Sequence, residues 1–490
     1  MKYINILVGC LLTFSAVSCD DFLDVRPKAE KLESDLFKNA QGFEDAIYGV
    51  YGSLQSASLY GRYLTWGIPE VLAQNLHSTS TAIEELSKYQ YDEDDNLRSM
   101  FSSVWSTAYQ TIGYANNVLT QLEGWSSDEL PLYNYYKGEM LALRAMLHFD
   151  LVRLFAPMDM SKDGIPYVTT YSYEVKPFYT VGKVYEFILK DLLEAETLMK
   201  DEESTLTYPH NNTNYYDFMK YRETHLNLYA VRALLARVYW MQGDMTNAAK
   251  YAENVIQSQA FPLVDDIEVK DYLAGTLSPK ETIFGVYSNS YIDLCESYLY
   301  DFVSYHSYTA YDDNSGQKHL EPYTAVYAKD VPPTSQDFRL SGHFRQSAGL
   351  SKFLKTTDFY TLDGDVPESR MNLISGFTLL HTSEMYLIAA EALLDTNYEA
   401  AVVYFDEELK SRGVTPLAQR EGETLTKEMI FNEYRKELFG EGQTWYNMKR
   451  LNRDIISNAE LRTIPASETV YVIPIPEEEF EYRNENKKEE

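Results

Sequence analysis

Between Leu228 and Ser258 apolar residues recur every third or fourth position, pause at Gly243, and resume. Leu228, Val231, Leu235 and Val238 form one stripe, and Ala248, Ala252 and Val255 a second, with Lys250, Glu253 and Gln257 facing outward. That is the spacing of two amphipathic helices. Glycine suits the left-handed residue that stops a helix, and Asp244 or Thr246 can cap the next one. Ala236, Ala248, Ala249 and Ala252 are small enough for the helices to approach closely. The stretch predicts a helical hairpin near the ~34-residue tetratricopeptide period. One such hairpin buries too little surface alone and needs stacked neighbours.

The rest of the chain supplies them. Phe43, Ile47, Val50 and Leu54 predict a helix over 41–55, with Asn39 as its cap. Phe101, Trp105, Ala108, Ile112, Ala115, Leu119 and Leu122 predict another over 99–122. Met140, Leu143, Leu147, Leu151 and Leu154 mark 139–156, which Pro157 ends because proline cannot continue the ladder. Val184, Ile188, Leu192, Ala195 and Leu198 mark 181–200, ahead of the 226–258 hairpin. Leu387, Ala390 and Leu394, then Val402, Phe405 and Leu409 after an Asn397 cap, predict a second hairpin over 379–411. A charged helical element from Thr426 spans 426–453, interrupted at Gly440 and Gly442. Tyr471 to Pro476 reads as an extended edge segment. The expected fold is mainly α: a tetratricopeptide-like scaffold of four helix pairs within one unit over 41–490. Two segments without sustained period, 56–98 and 259–378, are expected as insertions that form a second, loop-rich face. Segments this long are functional or disordered, and the aromatic content of 259–378 argues against disorder.

The N-terminus predicts the compartment. Lys2 precedes an apolar run from Ile4 to Val17, too short for a membrane span, that ends in Ala16-Val17-Ser18-Cys19. Residues 1–18 read as a signal peptide, Cys19 as a lipidation site of bacterial lipoprotein type, and 19–40 as a charged tether. Acyl chains contribute about 0.8 kcal/mol per buried CH₂. Of three cysteines, Cys10 leaves with the signal and Cys19 is acylated, so no intramolecular disulfide is expected and Cys295 reads as a small buried hydrophobe. The net charge of −31 argues against nucleic-acid binding, which needs a surplus of Lys and Arg.

Several stretches, in shared order, resemble the SusD/RagB family of Bacteroidetes surface lipoproteins. They are CDDFLDVRPKAE from Cys19, VWSTAYQTIGYANNVL from Val104, RAMLHFDLVRLFAPM from Arg144, ALLARVYWMQGD from Ala233, ETIFGVY from Glu281, SEMYLIAAEALL from Ser383, EYRKELFGEGQTWYNMKRL from Glu433 and VIPIPEEE from Val472. The chain departs from the family at His381, often Arg, and at Asn75, often Asp; both read as changes in local packing or polar networks. The resemblance implies a partner, a SusC-like TonB-dependent outer-membrane transporter, over which the protein sits as a lid. It also implies capture of glycan, or of peptide in the RagB branch, on the loop-rich face, with the protein lipid-anchored in the outer membrane and facing the cell exterior. No catalytic activity and no cofactor are implied.

The chain has 42 Tyr against 5 Trp, and tyrosines crowd 287–327. A phenol ring can cover the C–H face of a sugar while its hydroxyl and nearby carboxylates or amides bond to the sugar hydroxyls. Tyr291, Tyr298, Tyr300, Tyr305, Tyr308, Tyr311, Asp312 and Asn314 are therefore candidate ligand residues, with Trp66, His77, Tyr89 and Tyr91 from the earlier insertion. Any single tyrosine fits packing beneath the insertion at least as well. The segment as a whole favours contact, because a core draws on Leu, Ile and Phe. Trp105, Trp240 and Trp445 lie on apolar stripes and read as core. Acidic loops at Asp92–Asp95 and Asp363–Asp365 lack the EF-hand layout and read as solvated charge, so no metal site is expected. No P-loop, zincin or nucleophile-elbow motif is present. A purely structural lid for the transporter remains an alternative to ligand capture.

Overall fold

The computed structural model describes residues 35–76, 80–264, 276–299, 308–312, 318–347, 350–353, 373–457 and 461–486. The expected signal segment and Cys19 lie outside them. The described residues divide between Ala46 and Ile47, within the first helix, into a small N-terminal unit and the main one.

Helices α1 (Ala40–Leu54), α2 (Asp95–Leu122), α3 (Tyr133–Phe155), α4 (Val181–Leu198), α5 (Leu228–Gln242), α6 (Met245–Ser258), α7 (Thr382–Leu393) and α8 (Tyr398–Ser411) carry the fold. From α2 to α8 each packs on the next, the nearest-neighbour stacking of tetratricopeptide-like repeats. α9 (Lys427–Glu437) lies on α7, and α10 (Thr444–Arg450) follows.

The predicted signals at Gly243, Asp244 and Asn397 act as expected, and Asn227 and Thr426 add caps that the apolar pattern does not mark. Asn227 caps α5, its Oδ1 accepting from the Tyr229 and Ala230 N–H groups at 2.9 Å each. Gly243 ends α5 at φ +82°, and Asp244 caps α6. Asn397 and Thr426 cap α8 and α9. Trp105, Trp240, Trp445 and Cys295 are all buried.

α3 departs from a one-sided stripe. Every residue from Gly138 to Phe155 is buried, so its charged side chains must be paired inside the protein. Arg144 holds Asp191 through Nε and Nη2 at 2.7 and 2.8 Å. Glu139 accepts from Arg222 (2.6 Å) and Tyr51 (2.6 Å) and bonds His225 (2.9 Å). Burial alone would raise the Glu139 carboxyl, but Arg222 and His225 outweigh it and hold the group below its usual value.

Segment 56–98 is not a polar, loop-rich stretch. It folds as a turn of π-helix at Tyr63–Gly67 and helices Ile68–Leu72 and Thr81–Ser87, and it buries Leu59, Leu64, Ile68, Val71, Leu72 and Leu86. Helices this short do not fill the window over which periodicity registers. α2 begins four residues before the predicted start because Asp94 Oδ1 caps Asn96 and Leu97 at 2.8 and 3.1 Å.

Short antiparallel pairings join the helices. β1 (Asp163–Pro166) pairs with β2 (Phe178–Thr180), and β3 (Thr282–Tyr287) with β8 (Gly376–His381). Between β3 and β8 lie the hairpins β4 (Tyr308–Asp312)–β5 (Lys318–Pro322) and β6 (Phe344–Ser347)–β7 (Leu350–Phe353). β8 runs to His381, so the helix expected from 379 starts at Thr382. Beyond the short helix Glu468–Tyr471 the chain extends to Pro476, as expected, and then forms helix α11 (Glu477–Asn486).

A buried ionic cluster ties segment 259–378 to the scaffold. The Arg339 guanidinium meets Asp337 at 2.7 Å, Glu437 at 2.8 Å and Glu408 at 3.2 Å, and also bonds Glu433. Arg412 bridges Glu281, just before β3, to Glu437 on α9 at 2.9 and 2.6 Å.

Candidate functional site

The structure separates the sequence-predicted ligand residues. Trp66 is 2% exposed, with the Arg62 guanidinium 5.7 Å from its ring. Tyr91 is buried and donates to the Val470 carbonyl at 2.6 Å. Tyr291 is buried with its ring stacked 4.4 Å from Phe377. These three serve the interior, which corrects their reading as ligand contacts. The elements that carry them are not exposed loop: Trp66 lies in the π-helical turn and Tyr291 in helix Tyr291–Leu299, and their rings pack inward. Tyr89 is half-buried, and its hydroxyl donates to Leu72 O at 2.7 Å while accepting from Gln74 Nε2 at 3.1 Å. Its polar end is thus committed to the fold.

Apart from His77, the rest of the candidate set belongs to the later segment. Tyr298 lies on helix Tyr291–Leu299. Tyr308, Tyr311 and Asp312 lie on β4, opposite Pro322, His319 and Lys318 of β5. His77, Tyr300, Tyr305 and Asn314 lie outside the described residues. Tyr287 ends β3 and is 54% exposed, an aromatic ring left in water beside this segment. Opposite it stands Gly376 at φ +153°, where a Cβ would come within 2.2 Å of Val286 O. Only glycine lets the two strands close there.

Between the 56–98 segment and the loop before α10 the structure builds a polar lock. Asn75 is fully buried. Its Nδ2 donates to Glu70 at 2.8 Å, and its Oδ1 accepts from Arg435 Nε and Nη2 at 3.0 and 2.9 Å. Glu70 also accepts from the Gly442 N–H at 2.9 Å. Burial raises the Glu70 carboxyl to about 7 despite these donors. His381 bonds Glu441 through Nε2 at 2.7 Å. Both family departures therefore sit in polar networks, and Asn75 is interior. Gly442 (φ +77°) allows the close approach, since a Cβ would meet Leu64 O at 2.7 Å.

Sequence reasoning missed a second aromatic surface. Tyr109 and Tyr114 of α2 and Tyr171 and Tyr173 after β1 line one cleft, together with Glu479 and Arg483 of α11. The signal in the sequence is faint: Tyr171 and Tyr173 alternate in an irregular stretch, and only tertiary packing brings α11 to them.

Two family models match the chain. One, described as starch-binding associating with outer membrane, covers residues 21–240, and the SusD family model covers 341–489. SusD-like protein P2 of Formosa agariphila is 25% identical over 529 aligned positions, spanning 99% of this chain and 98% of that protein. A SusD superfamily protein of Bacteroides thetaiotaomicron superposes with a TM-score of 0.68 at 22% identity, over 90% of this chain and 98% of that one. A laminarin-binding SusD-like protein superposes with a TM-score of 0.61 at 20% identity, over 90% and 97% of the two chains. At these identities the superpositions speak for the fold. The family models, full-length relative and stacked-helix architecture together establish that this chain belongs to the SusD/RagB family.

Proposed function

We propose that the protein is a cell-surface lipoprotein, anchored to the outer membrane through Cys19, that captures glycan and delivers it to a SusC-like TonB-dependent transporter. The membership in the SusD/RagB family carries this reading, supported by the starch-binding description of the matching model and by a solved relative that binds laminarin. Among the described residues no helix is long and apolar enough to cross a membrane, which is compatible with attachment by acyl chains. Capture uses the aromatic segment after β3, where Tyr287 stands exposed and from which Tyr298, Tyr300, Tyr305, Tyr308, Tyr311, Asp312 and Asn314 remain candidate contacts. His77 is a further candidate. Binding is non-catalytic and of modest strength, on the order of micromolar to millimolar, as few stacked rings and exposed hydrogen bonds provide.

The test is a binding screen of the purified full chain against plant, microbial and host glycans and a peptide pool. A glycan hit abolished by joint replacement of Tyr298, Tyr305 and Tyr308 with Ala supports capture on this segment. Peptide-only binding shifts the ligand class, and silence with intact transporter association leaves a lid. Cys19→Ala should release the protein from membranes.

A further inference from the structure

The cleft between α2, residues 166–176 and α11 has a volume of about 490 Å³, within the range of small-ligand sites. Tyr114, Tyr171 and Tyr173 are 42%, 54% and 98% exposed there. Rings left in water contribute little to folding, and an exposed cluster of them marks an interaction site.

The walls behind these rings are fixed. Tyr109 donates to Pro166 O at 2.8 Å, and Asn116 Nδ2 to Val168 O at 2.9 Å. His148 Nε2 accepts from the Val168 N–H at 3.0 Å, while Nδ1 donates to Arg144 O at 2.8 Å. Burial drives that imidazole down to about 3, so it stays neutral and fills both roles at once. Across the cleft, Arg483 donates to Glu479 at 2.7 Å and to Lys176 O at 2.6 Å, and its guanidinium lies 4.4 Å from the Phe178 ring. The tip of the loop presents rings and small hydroxyls in alternation: Thr170, Tyr171, Ser172, Tyr173. Its backbone is held at the base, so ordering cost on binding is reduced.

The chemistry selects among ligands. Flat rings with hydroxyls between them complement a molecule with C–H faces and a hydroxyl rim. A polyanion meets Glu174 and Glu479, and finds Arg483 already engaged. We propose that this cleft is a second saccharide-binding site, in which Tyr114, Tyr171 and Tyr173 stack on sugar rings. It lies on elements different from those of the aromatic segment after β3 and does not depend on that segment binding anything.

Calorimetric titration of the full chain with a panel of oligosaccharides of four or more residues tests this. The variants are Y171A/Y173A, Y114A and, as a control outside both aromatic surfaces, Y215A, all at exposed positions, with thermal midpoints checked against wild type. The expected result is a binding event that weakens at least tenfold, about 1.4 kcal/mol, in Y171A/Y173A and in Y114A but not in Y215A. Unchanged binding in Y171A/Y173A, with loss on replacing Tyr298, Tyr305 and Tyr308, overturns the cleft and leaves the proposed function standing. The reverse pattern supports the cleft and removes the segment after β3 as the capture site. Absence of any saccharide binding, or cleft-dependent binding of a peptide pool alone, overturns the assignment.

Discussion

Replacing Arg339 with Met removes the cation at the centre of a closed ionic cluster. Arg339, Glu408 and Glu433 are at most 1% exposed, and Asp337 and Glu437 only 2% and 6%. Glu437 keeps Arg412, and Glu433 keeps Lys436 at 3.0 Å. Asp337 is the group most exposed to the loss, because it directs both oxygens at Arg339, at 3.0 and 2.7 Å. Removing one partner of a buried ionic set costs about 3–5 kcal/mol. With unfolding entropy near 2.1 cal/mol/K per residue, a cooperative unit of about 400 residues should lose about 4–6 °C in thermal midpoint. Burial pushes the Glu433 carboxyl up, but Arg339 and then Lys436 hold it at about 2. Without Arg339 the Glu433 carboxyl is held down less. A depressed folded value gives stability that is present above about pH 4.5 and lost as pH falls through about 2, so the R339M deficit should shrink as pH falls across that window. R339M/D337N should recover part of it. Calorimetry of the three proteins across that range measures this. A midpoint for R339M within a degree of wild type at pH 7.5, with no pH dependence and no rescue, would refute the reasoning. Because Arg339 joins the 331–340 stretch to α8 and α9, the variant should also weaken any ligand binding that needs an ordered insertion.

Glu70, raised from 4.5 to about 7, contributes stability that is complete below pH 4.5 and is lost as pH rises through 7. The shift corresponds to about 3 kcal/mol, so Glu70→Gln should flatten the pH dependence of denaturant unfolding across that window. Gly243→Ala should cost about 1 kcal/mol, since φ is +82° and no atom lies near the added Cβ. Gly49→Ala, in the open face of α1, should instead stabilise by about 0.5–1 kcal/mol; both are read from urea midpoints. Asn227→Ala removes the α5 cap and the Nδ2 donor to Ile283 O at 2.8 Å. A loss of about 2 kcal/mol or more in unfolding free energy is expected.

Sequence by itself determined the repeat scaffold. Long stripes of apolar residues, stop signals such as Gly243 and caps at Asp244 and Asn397 act within one or two turns of chain, so they are legible locally. The family's motifs added identity and the expectation of a lipid anchor. Only the tertiary structure decided which aromatics face water. Trp66, Tyr91 and Tyr291 are buried while Tyr171, Tyr173 and Tyr287 are exposed, although all six are large, semi-polar rings outside the long apolar stripes. A tyrosine's exposure depends on what distant elements lay over it. The Val470 carbonyl, 379 positions along the chain, takes the Tyr91 hydroxyl, and α11 folds back to form a wall beside Tyr171. The buried charges tell the same story. Arg144, Glu139 and Arg339 look like solvated residues in the sequence, because pairing across tens to hundreds of positions is set by packing and leaves no periodic trace.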